Sequence, residues 1–151
     1  KLTFRRVEQP DTTSHDRLEE RLGWLVGEWE GEGPSGAWRW TIKWSGEDGC
    51  LSAPLSAEKD GEMVVVRECV VFWDSAIKNA KFFFIGENRI QEGMLLKSDD
   101  QKLIWGVTYT TPSGVSSGMQ EWARSGDELT VAFKDIELQG DAKAVFQKKA
   151  P

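Results

Sequence analysis

The chain has 151 residues, a formal net charge of −6, 39% apolar residues and 29% charged residues. This length predicts one domain with a substantial core, and the composition is ordinary for a soluble globular protein. The acidic balance argues against binding to nucleic acid, which selects basic surfaces, and against binding to an anionic membrane surface. No apolar run approaches the roughly 20 residues that cross a bilayer, so we expect no membrane insertion.

The first 15 residues are polar and have no sustained hydrophobic period. We therefore interpret residues 1–15 as a leader or linker and residues 16–151 as the folded domain. The first residue is Lys1 rather than Met, which fits a processed or trimmed chain. The sequence leaves the compartment unknown and neither indicates nor excludes export.

A short helix is predicted next. Asp16 followed by Glu19 resembles a capping box, so the helix is expected to begin at Asp16. Leu18, Leu22 and Leu25 follow at helical spacing and give the helix one apolar stripe. Because a helix this short is not stable alone in water, we expect it to cover one end of the rest of the domain.

Every segment after Gly27 has the pattern of a strand, and short turn sequences rich in Gly, Pro, Asn and Asp separate the segments. Consecutive tight hairpins favour an up-and-down meander, which removes its exposed edges by closing into a barrel. The predicted fold is therefore an all-β antiparallel barrel of eight to ten strands with one N-terminal helix. The predicted strands are 27–33, 37–45, 50–58, 62–73, 80–86, 90–97, 102–111, 115–124, 128–138 and 142–149.

The second predicted strand carries the clearest alternation in the chain. Even positions hold Trp38, Trp40, Ile42 and Trp44, whereas odd positions are small or polar. This period of two makes one face of the strand dry. Such bulky residues on one face are typical of a wide, curved interior such as a barrel lumen.

The two cysteines lie in the next predicted hairpin. If Asp60-Gly61 is a two-residue type I′ turn, Cys50 faces Val71 and Cys69 faces Ser52. The cysteines would then share a face as diagonal neighbours, a marginal geometry for a disulfide. Two small buried hydrophobic residues and a disulfide both remain open. A nucleophilic cysteine is not expected, because the only histidine, His15, lies in a polar segment without a core.

Two predicted strands place charges on faces that ought to be dry. Both faces are apolar around Arg67 and Glu68, so one of these residues must point inward. Glu92 shares parity with Ile90, Met94 and Leu96, so it is also expected to point inward. Arg67 and Glu92 would form a structural salt bridge, be turned to water by a bulge, or anchor the polar end of a ligand.

The aromatic residues allow two readings, because tryptophans can line a cavity or fill a small barrel completely. The predicted ligand-binding set, if the barrel is hollow, is Trp38, Trp40, Trp44, Arg67, Glu92, Met94, Trp105 and Trp122. No catalytic, metal-binding or cofactor-binding residues are predicted. The chain lacks CxxC and HxH motifs, and no helix follows its Gly-x-Gly sequence.

The segment Leu22-Gly23-Trp24-Leu25-Val26-Gly27-Glu28-Trp29 resembles the entry of lipocalins and other calycins, where a short helix runs into Gly-x-Trp. The longer pattern L-x-W-L-V-G-x-W, followed by about ten strands, is similar to bacterial lipocalin-like families of uncharacterised function. Some of these form the C-terminal part of longer, often exported chains behind a small α+β cone-shaped domain.

The resemblance implies a calycin-like barrel closed at one end by the helix. Trp29 would be the motif tryptophan, and Arg124 or Lys148 the late basic residue that covers its ring. Haem-binding, nitrobindin-like relatives need an axial histidine near the C-terminus, which this chain lacks, so no haem is expected.

The function expected from all of this is the non-enzymatic binding of an apolar or amphipathic small molecule. One alternative is a solid-core accessory or interaction module of a larger protein. Another is an enzyme that uses Arg67 and Glu92 as an acid–base pair inside the barrel. The oligomeric state and the ligand are not determined by the sequence.

Overall fold

A computed structural model describes residues 12–33, 36–46, 49–134 and 142–150. Helix α1 (Thr12–Leu22) continues into a single 3-10 turn (Gly23–Leu25), and strands follow. No helix in these ranges is long and apolar enough to cross a bilayer. The strands are β1 (Gly27–Gly33), β2 (Gly36–Ser45), β3 (Cys50–Ser52), β4 (Leu55–Lys59), β5 (Glu62–Asp74), β6 (Asn79–Gly86), β7 (Arg89–Ser98), β8 (Lys102–Thr111), β9 (Gly114–Ser125), β10 (Glu128–Lys134) and β11 (Ala142–Lys148).

The strands form one closed antiparallel barrel. Each strand from β5 to β11 pairs with its neighbour in sequence, and β1 pairs with both β2 and β11. Strands β3 and β4 lie end to end between β2 and β5, so the ring has ten strand positions. The predicted all-β, calycin-like barrel with one N-terminal helix is confirmed.

The single strand predicted over 50–58 is broken at Ala53 and Pro54. Proline has no N–H to donate to the ladder, so the regular pairing stops there. The backbone groups still find partners, because Ala53 N donates to Cys69 O at 2.8 Å and Thr41 N donates to Pro54 O at 3.2 Å. The break therefore bends one strand position without opening the barrel.

Helix α1 covers one end of the barrel, as expected, although it begins earlier than predicted. Leu18, Leu22 and Leu25 are each 0% exposed and belong to the main core. The helix starts at Thr12, so Asp16 lies inside it and the predicted capping box at Asp16 is wrong. Residues 12–15, assigned to the leader, are helical, and residues 1–11 lie outside the described part.

The opening motif packs at this closed end. Trp29 is fully buried, and its Nε1 donates a hydrogen bond to Leu25 O at 2.8 Å. The basic residue over its ring is Lys148, whose Nζ lies 5.3 Å from the ring centroid. Arg124, the other candidate, instead donates from Nε to Gly126 O at 2.8 Å.

The alternation predicted in β2 is confirmed. Trp40 and Ile42 are each 2% exposed, and Lys43 on the other face is exposed. Trp38 and Trp44 share the inward face near opposite ends of the strand, where they are only partly buried. The outward Arg39 forms an ion pair with Glu30 at 2.9 Å.

The Asp60-Gly61 turn is found, but the register beyond it differs from the prediction. Both turn residues have positive φ, 53° and 82°, as a type I′ turn requires. A bulge then adds one residue to β5, because Ser56 faces Val65 whereas Leu55 faces Arg67. The bulge shifts every later pair by one position and turns side chains to the opposite face.

The shift separates the two cysteines. Cys50 faces Phe72 rather than Val71, and Ser52 faces Val70 rather than Cys69. The cysteines now lie on opposite faces of the sheet, and both are free thiols. Burial and the charge of Glu68 raise the pKa of the Cys69 thiol, which keeps it protonated and unreactive.

Candidate functional site

The half of the barrel interior nearer α1 is filled with side chains, and we call it the lower half. Three rings pack together there: between ring centroids, Phe82 lies 5.0 Å from Trp105 and 5.2 Å from Trp122, and the two indoles are 5.0 Å apart. The inward position facing Phe82 on β7 is Gly93, whose missing side chain leaves the space that the Phe82 ring fills. This half therefore has no room for a ligand.

The upper half contains a partly open cavity of about 350 Å³. It lies where β1 ends at Gly33, whereas α1 enters at the start of β1 and closes the other end. The lining combines aromatic and aliphatic walls with a few polar side chains. The residues that line it are Glu32, Gly33, Trp38, Trp40, Leu55, Arg67, Phe84, Arg89, Gln91, Gln120, Trp122, Val131, Phe133, Ala142, Lys143, Ala144 and Phe146.

Six of the seventeen described residues that line the cavity are aromatic. Trp40 lies 5.2 Å from Trp122, 5.7 Å from Phe84 and 5.8 Å from Phe146 between ring centroids. Trp38 leans over Gly33, and any side chain at position 33 would collide with its indole. The glycine in β1 therefore fixes where the outermost tryptophan of the wall can lie.

A buried polar group interrupts this apolar surface. Gln91 and Gln120 are 2% and 1% exposed, and Gln120 Nε2 donates to Gln91 Oε1 at 2.9 Å. Gln120 Nε2 also donates to the Tyr109 hydroxyl at 3.1 Å, and Gln120 Oε1 accepts from Trp122 Nε1 at 3.0 Å. Because both ends of the Gln120 amide are satisfied, this network holds Gln91 and Trp122 in fixed positions.

Two arginines lie at the rim. Arg67 faces inward because of the β5 bulge, and Arg89 begins β7. Among the described residues, no carboxylate lies within 4.0 Å of either guanidinium. Burial and the neighbouring positive charge of Arg89 lower the pKa of Arg67. Burial raises the pKa of Tyr109, and the hydrogen bond with Gln120 and the charge of nearby Arg89 partly oppose this.

Glu92 and Met94 do not face the lumen, so the predicted inward orientation is wrong. The inward positions of β7 are Arg89, Gln91, Gly93 and Leu95, and the outward positions between them hold Ile90, Glu92 and Met94. Met94 is 43% exposed, and Glu92 lies 3.8 Å from Lys81 on the outer surface. The parity was misread because the larger apolar residues of this strand point to solvent and the inward side carries glutamine and glycine.

The other predicted ligand-binding residues divide between the two halves of the barrel. Trp38, Trp40, Arg67 and Trp122 line the cavity. Trp105 is fully buried in the solid half, away from the cavity. Trp44 lies at the closed end, where its ring centroid is 4.3 Å from that of His15.

Sequence reasoning missed Arg89, Gln91 and Gln120. The signal for Gln91 was present, because it alternates with Gly93 and Leu95 on β7. No comparable signal marked Gln120, because the sequence Met119-Gln120-Glu121-Trp122 does not alternate between apolar and polar residues. Arg89 directly follows the Glu87-Asn88 turn, where charged residues are normally solvated.

His15 is better packed than expected for a polar leader. It lies in α1 against Trp44 and the backbone of Gly49, rather than in a segment without a core. Its ring nitrogen and the carboxylates of Asp16 and Glu19 come within 4.8 Å of one another. Both carboxylates are exposed, and the Nδ1–Oε2 distance to Glu19 of 3.6 Å fits an ordinary surface ion pair.

The cavity is thus a half-open, aromatic-walled space with a fixed amide at its base and two arginines at its rim. No protein-family model matches this chain, and no curated protein matches it either.

Proposed function

We propose that this chain is a non-enzymatic binding barrel for an apolar or amphipathic small molecule. The observation that carries the proposal is the partly open cavity of about 350 Å³ with aromatic walls. Ligand sites typically measure roughly 300–1,000 Å³ and combine apolar walls with a few placed polar groups. The volume of this cavity falls within that range, and its lining has the same combination of apolar and polar groups.

The rigidity of the walls supports the same function. Trp40 and Trp122 are held by hydrogen bonds from their indole nitrogens to Ala53 O and Gln120 Oε1. A wall fixed before binding loses little conformational freedom when a ligand enters. An apolar ligand would contact these rings directly, so binding should change the tryptophan emission.

A neutral fluorescent probe tests the proposal without involving charge. N-phenyl-1-naphthylamine should bind with a dissociation constant on the order of micromolar, gain fluorescence and quench tryptophan emission. Ala144 and Val145 are neighbours in β11 that point to opposite faces, the first lining the cavity and the second exposed outside. Ala144→Trp should fill the cavity and weaken probe binding at least about tenfold, whereas Val145→Trp should leave it unchanged.

The proposal is refuted if no neutral probe binds the folded protein, or if Ala144→Trp and Val145→Trp bind it equally well. Circular dichroism and a thermal melt of each variant establish that the barrel is intact. Equal binding by both variants would place the probe on the outer surface.

The second candidate is an accessory or interaction module of a larger protein. One observation favours it: strands β6 and β7 expose apolar side chains on the outer surface, including Ile85, Ile90 and Leu96 at 52%, 45% and 55%. This candidate replaces the first one if the cavity takes no probe. An enzyme that pairs Arg67 with Glu92 is not proposed, because these side chains lie on opposite faces of the sheet.

A further inference from the structure

The two rim arginines are adjacent on the inward face of the sheet. Gly86 in β6 pairs with Arg67 on one side and with Arg89 on the other. These three residues form one row across β5, β6 and β7, with the arginine backbones roughly 10 Å apart, two strand spacings. The central residue has no side chain, so both arginines can reach the space over it.

This arrangement is electrostatically unfavourable, because two positive charges face the same space. Burial and the charge of Arg89 both disfavour the charged form of Arg67, as the lowered pKa of that residue indicates. Within the described part of the chain, four charged residues line the cavity: three are basic, namely Arg67, Arg89 and Lys143, and one is acidic, Glu32. Among the described residues, positive charge is therefore concentrated at this opening, although the whole chain has a net charge of −6.

A side-chain hydrogen-bond donor lies at the next inward position of β7, further from the rim. Gln91 follows Arg89 on the same inward face, and its Oε1 is occupied by Gln120. Its Nε2 carries two hydrogens. Within the described part of the chain, no hydrogen-bond acceptor is found for this nitrogen. Gln91 lines the cavity and is 2% exposed as a residue, so its amide N–H groups can donate to a molecule bound there.

We propose that Arg67, Arg89 and the Gln91 amide form an anion-binding site, so that the ligand of the barrel is an amphipath with an oxyanion head. This inference rests on the proposed function and specifies its ligand class. Guanidinium groups bind planar oxyanions through paired charge-assisted hydrogen bonds. An anion between them offsets the repulsion that the empty site carries.

The surroundings orient such a ligand. Arg67 and Arg89 also border a second, more open depression, whose lining includes Glu87, Asn88, Thr111 and Ser113. The Glu87 carboxylate is not within 4.0 Å of either guanidinium, so it does not neutralise them. The head would lie at this polar boundary, and the tail would extend into the aromatic cavity. Water can reach the head, whereas the apolar tail is withdrawn from it.

Four ligands with ten-carbon chains and different heads test the inference: decanoate, decyl sulfate, decanol and decyltrimethylammonium. Their affinities are measured by displacement of N-phenyl-1-naphthylamine at neutral pH, below micelle-forming concentrations. Decanoate or decyl sulfate should bind at least about tenfold more tightly than decanol, because charge-assisted hydrogen bonds add to the same apolar contacts. Decyltrimethylammonium should bind least tightly. The relative strength of the two anions distinguishes a carboxylate ligand from a sulfate or phosphate-like one.

Single variants assign the effect to the arginines. Arg67→Met and Arg89→Met should each weaken binding of the preferred anion about tenfold or more, and change decanol binding by less than about threefold. Lys97→Met removes an equal charge from an exposed position outside the barrel and serves as the matched control. If an arginine variant does not fold, the head-group series on the wild-type protein still decides the question.

Equal or tighter binding of decanol or decyltrimethylammonium overturns the anion site and leaves the binding barrel standing. Failure of all four ligands and of the neutral probe overturns both proposals. Equal loss of anion binding in Lys97→Met and the arginine variants also overturns the site, because the effect would then come from net charge alone.

Discussion

The solid half of the barrel depends on one absent side chain, and Gly93→Ala should expose that dependence. An alanine Cβ at this position would overlap the Phe82 ring and lie 2.5 Å from its Cδ1 atom. Phe82 is 0% exposed and packs against Trp105 and Trp122 at 5.0 and 5.2 Å. The ring therefore cannot move aside without disturbing the centre of the core.

The expected decrease in the free energy of unfolding results from two opposing effects. Overpacking a tight core costs about 1–3 kcal/mol, and replacing glycine in a strand returns roughly 0.5–1 kcal/mol. These ranges combine to a net loss of roughly 0–2.5 kcal/mol, centred on about 1 kcal/mol. For a domain of this size, each kcal/mol corresponds to roughly 2–4 °C in melting temperature, so Gly93→Ala should melt about 2–4 °C lower.

Urea unfolding followed by far-ultraviolet circular dichroism measures the change. Gly106→Ala is the matched control, because Gly106 lies on the neighbouring strand and its added Cβ would meet Leu96 Cδ1 at an ordinary 3.4 Å. The control should be neutral or slightly stabilising. Phe82→Leu combined with Gly93→Ala should be less unstable than the sum of the single variants by about 1 kcal/mol, since leucine relieves the collision.

Two results would refute this reasoning. One is a free energy of unfolding for Gly93→Ala that matches that of Gly106→Ala. The other is strict additivity of the Phe82→Leu and Gly93→Ala effects, which would show that the ring and the new methyl group do not compete for space.

Two further predictions concern the closed end and the outer surface. Leu22→Asp should destabilise the protein by roughly 3–5 kcal/mol, because it places a charge in a fully buried site. Glu20→Ala, on the exposed face of α1, is the control. Equal melting temperatures of the two variants would show that the helix is not docked. The hydrogen bonds from Arg39 lower the pKa of Glu30, so the stabilisation is complete above the ordinary pKa of 4.5 and is lost as the pH falls through the lowered value. Glu30→Gln should therefore make the free energy of unfolding, measured in urea, depend less on pH in this acid range. An unchanged pH dependence would show that the ion pair of Glu30 does not contribute to it.

Much of the fold could be predicted because the signals are local. The alternation of Trp38, Trp40 and Ile42 specifies a strand face directly, and the Asp60-Gly61 turn specifies a hairpin. The spacing of the leucines specifies the docked face of α1. The capping box failed because Asp16 and Glu19 also suit the exposed face of a helix that has already begun.

The register of β5 could not be predicted, because a bulge leaves no mark when both faces of a strand are apolar. Four consecutive residues, Met63 to Val66, are apolar, so an added residue changes no pattern of polarity. The bulge nevertheless decides that Arg67 points inward and that Cys69 is separated from Cys50. The candidate site thus depends on a feature that only the three-dimensional structure reveals.

Only part of the candidate site could be predicted, for a related reason. The rule that large apolar side chains face the interior is correct for β2 and incorrect for β7. In β7 two of the inward residues are Gln91 and Gly93. The Gln91 Oε1 atom accepts a hydrogen bond from Gln120, and the Phe82 ring fills the space beside Gly93. Such compensation involves residues on other strands, so no property of β7 alone discloses it.

The division of the barrel into a solid and a hollow half follows from where small residues face inward. Near α1 the inward positions hold large residues such as Trp29, Leu103 and Trp105, each 0% exposed. At the open end they include Ala142 and Ala144, both of which line the cavity. A barrel of ten strand positions is wide, so small inward residues at the open end leave space between the strands. The large side chains near α1 are too far away to fill it. Small inward residues at the open end thus help to leave the cavity, which is why one inward tryptophan at position 144 should weaken binding at least about tenfold without unfolding the closed half.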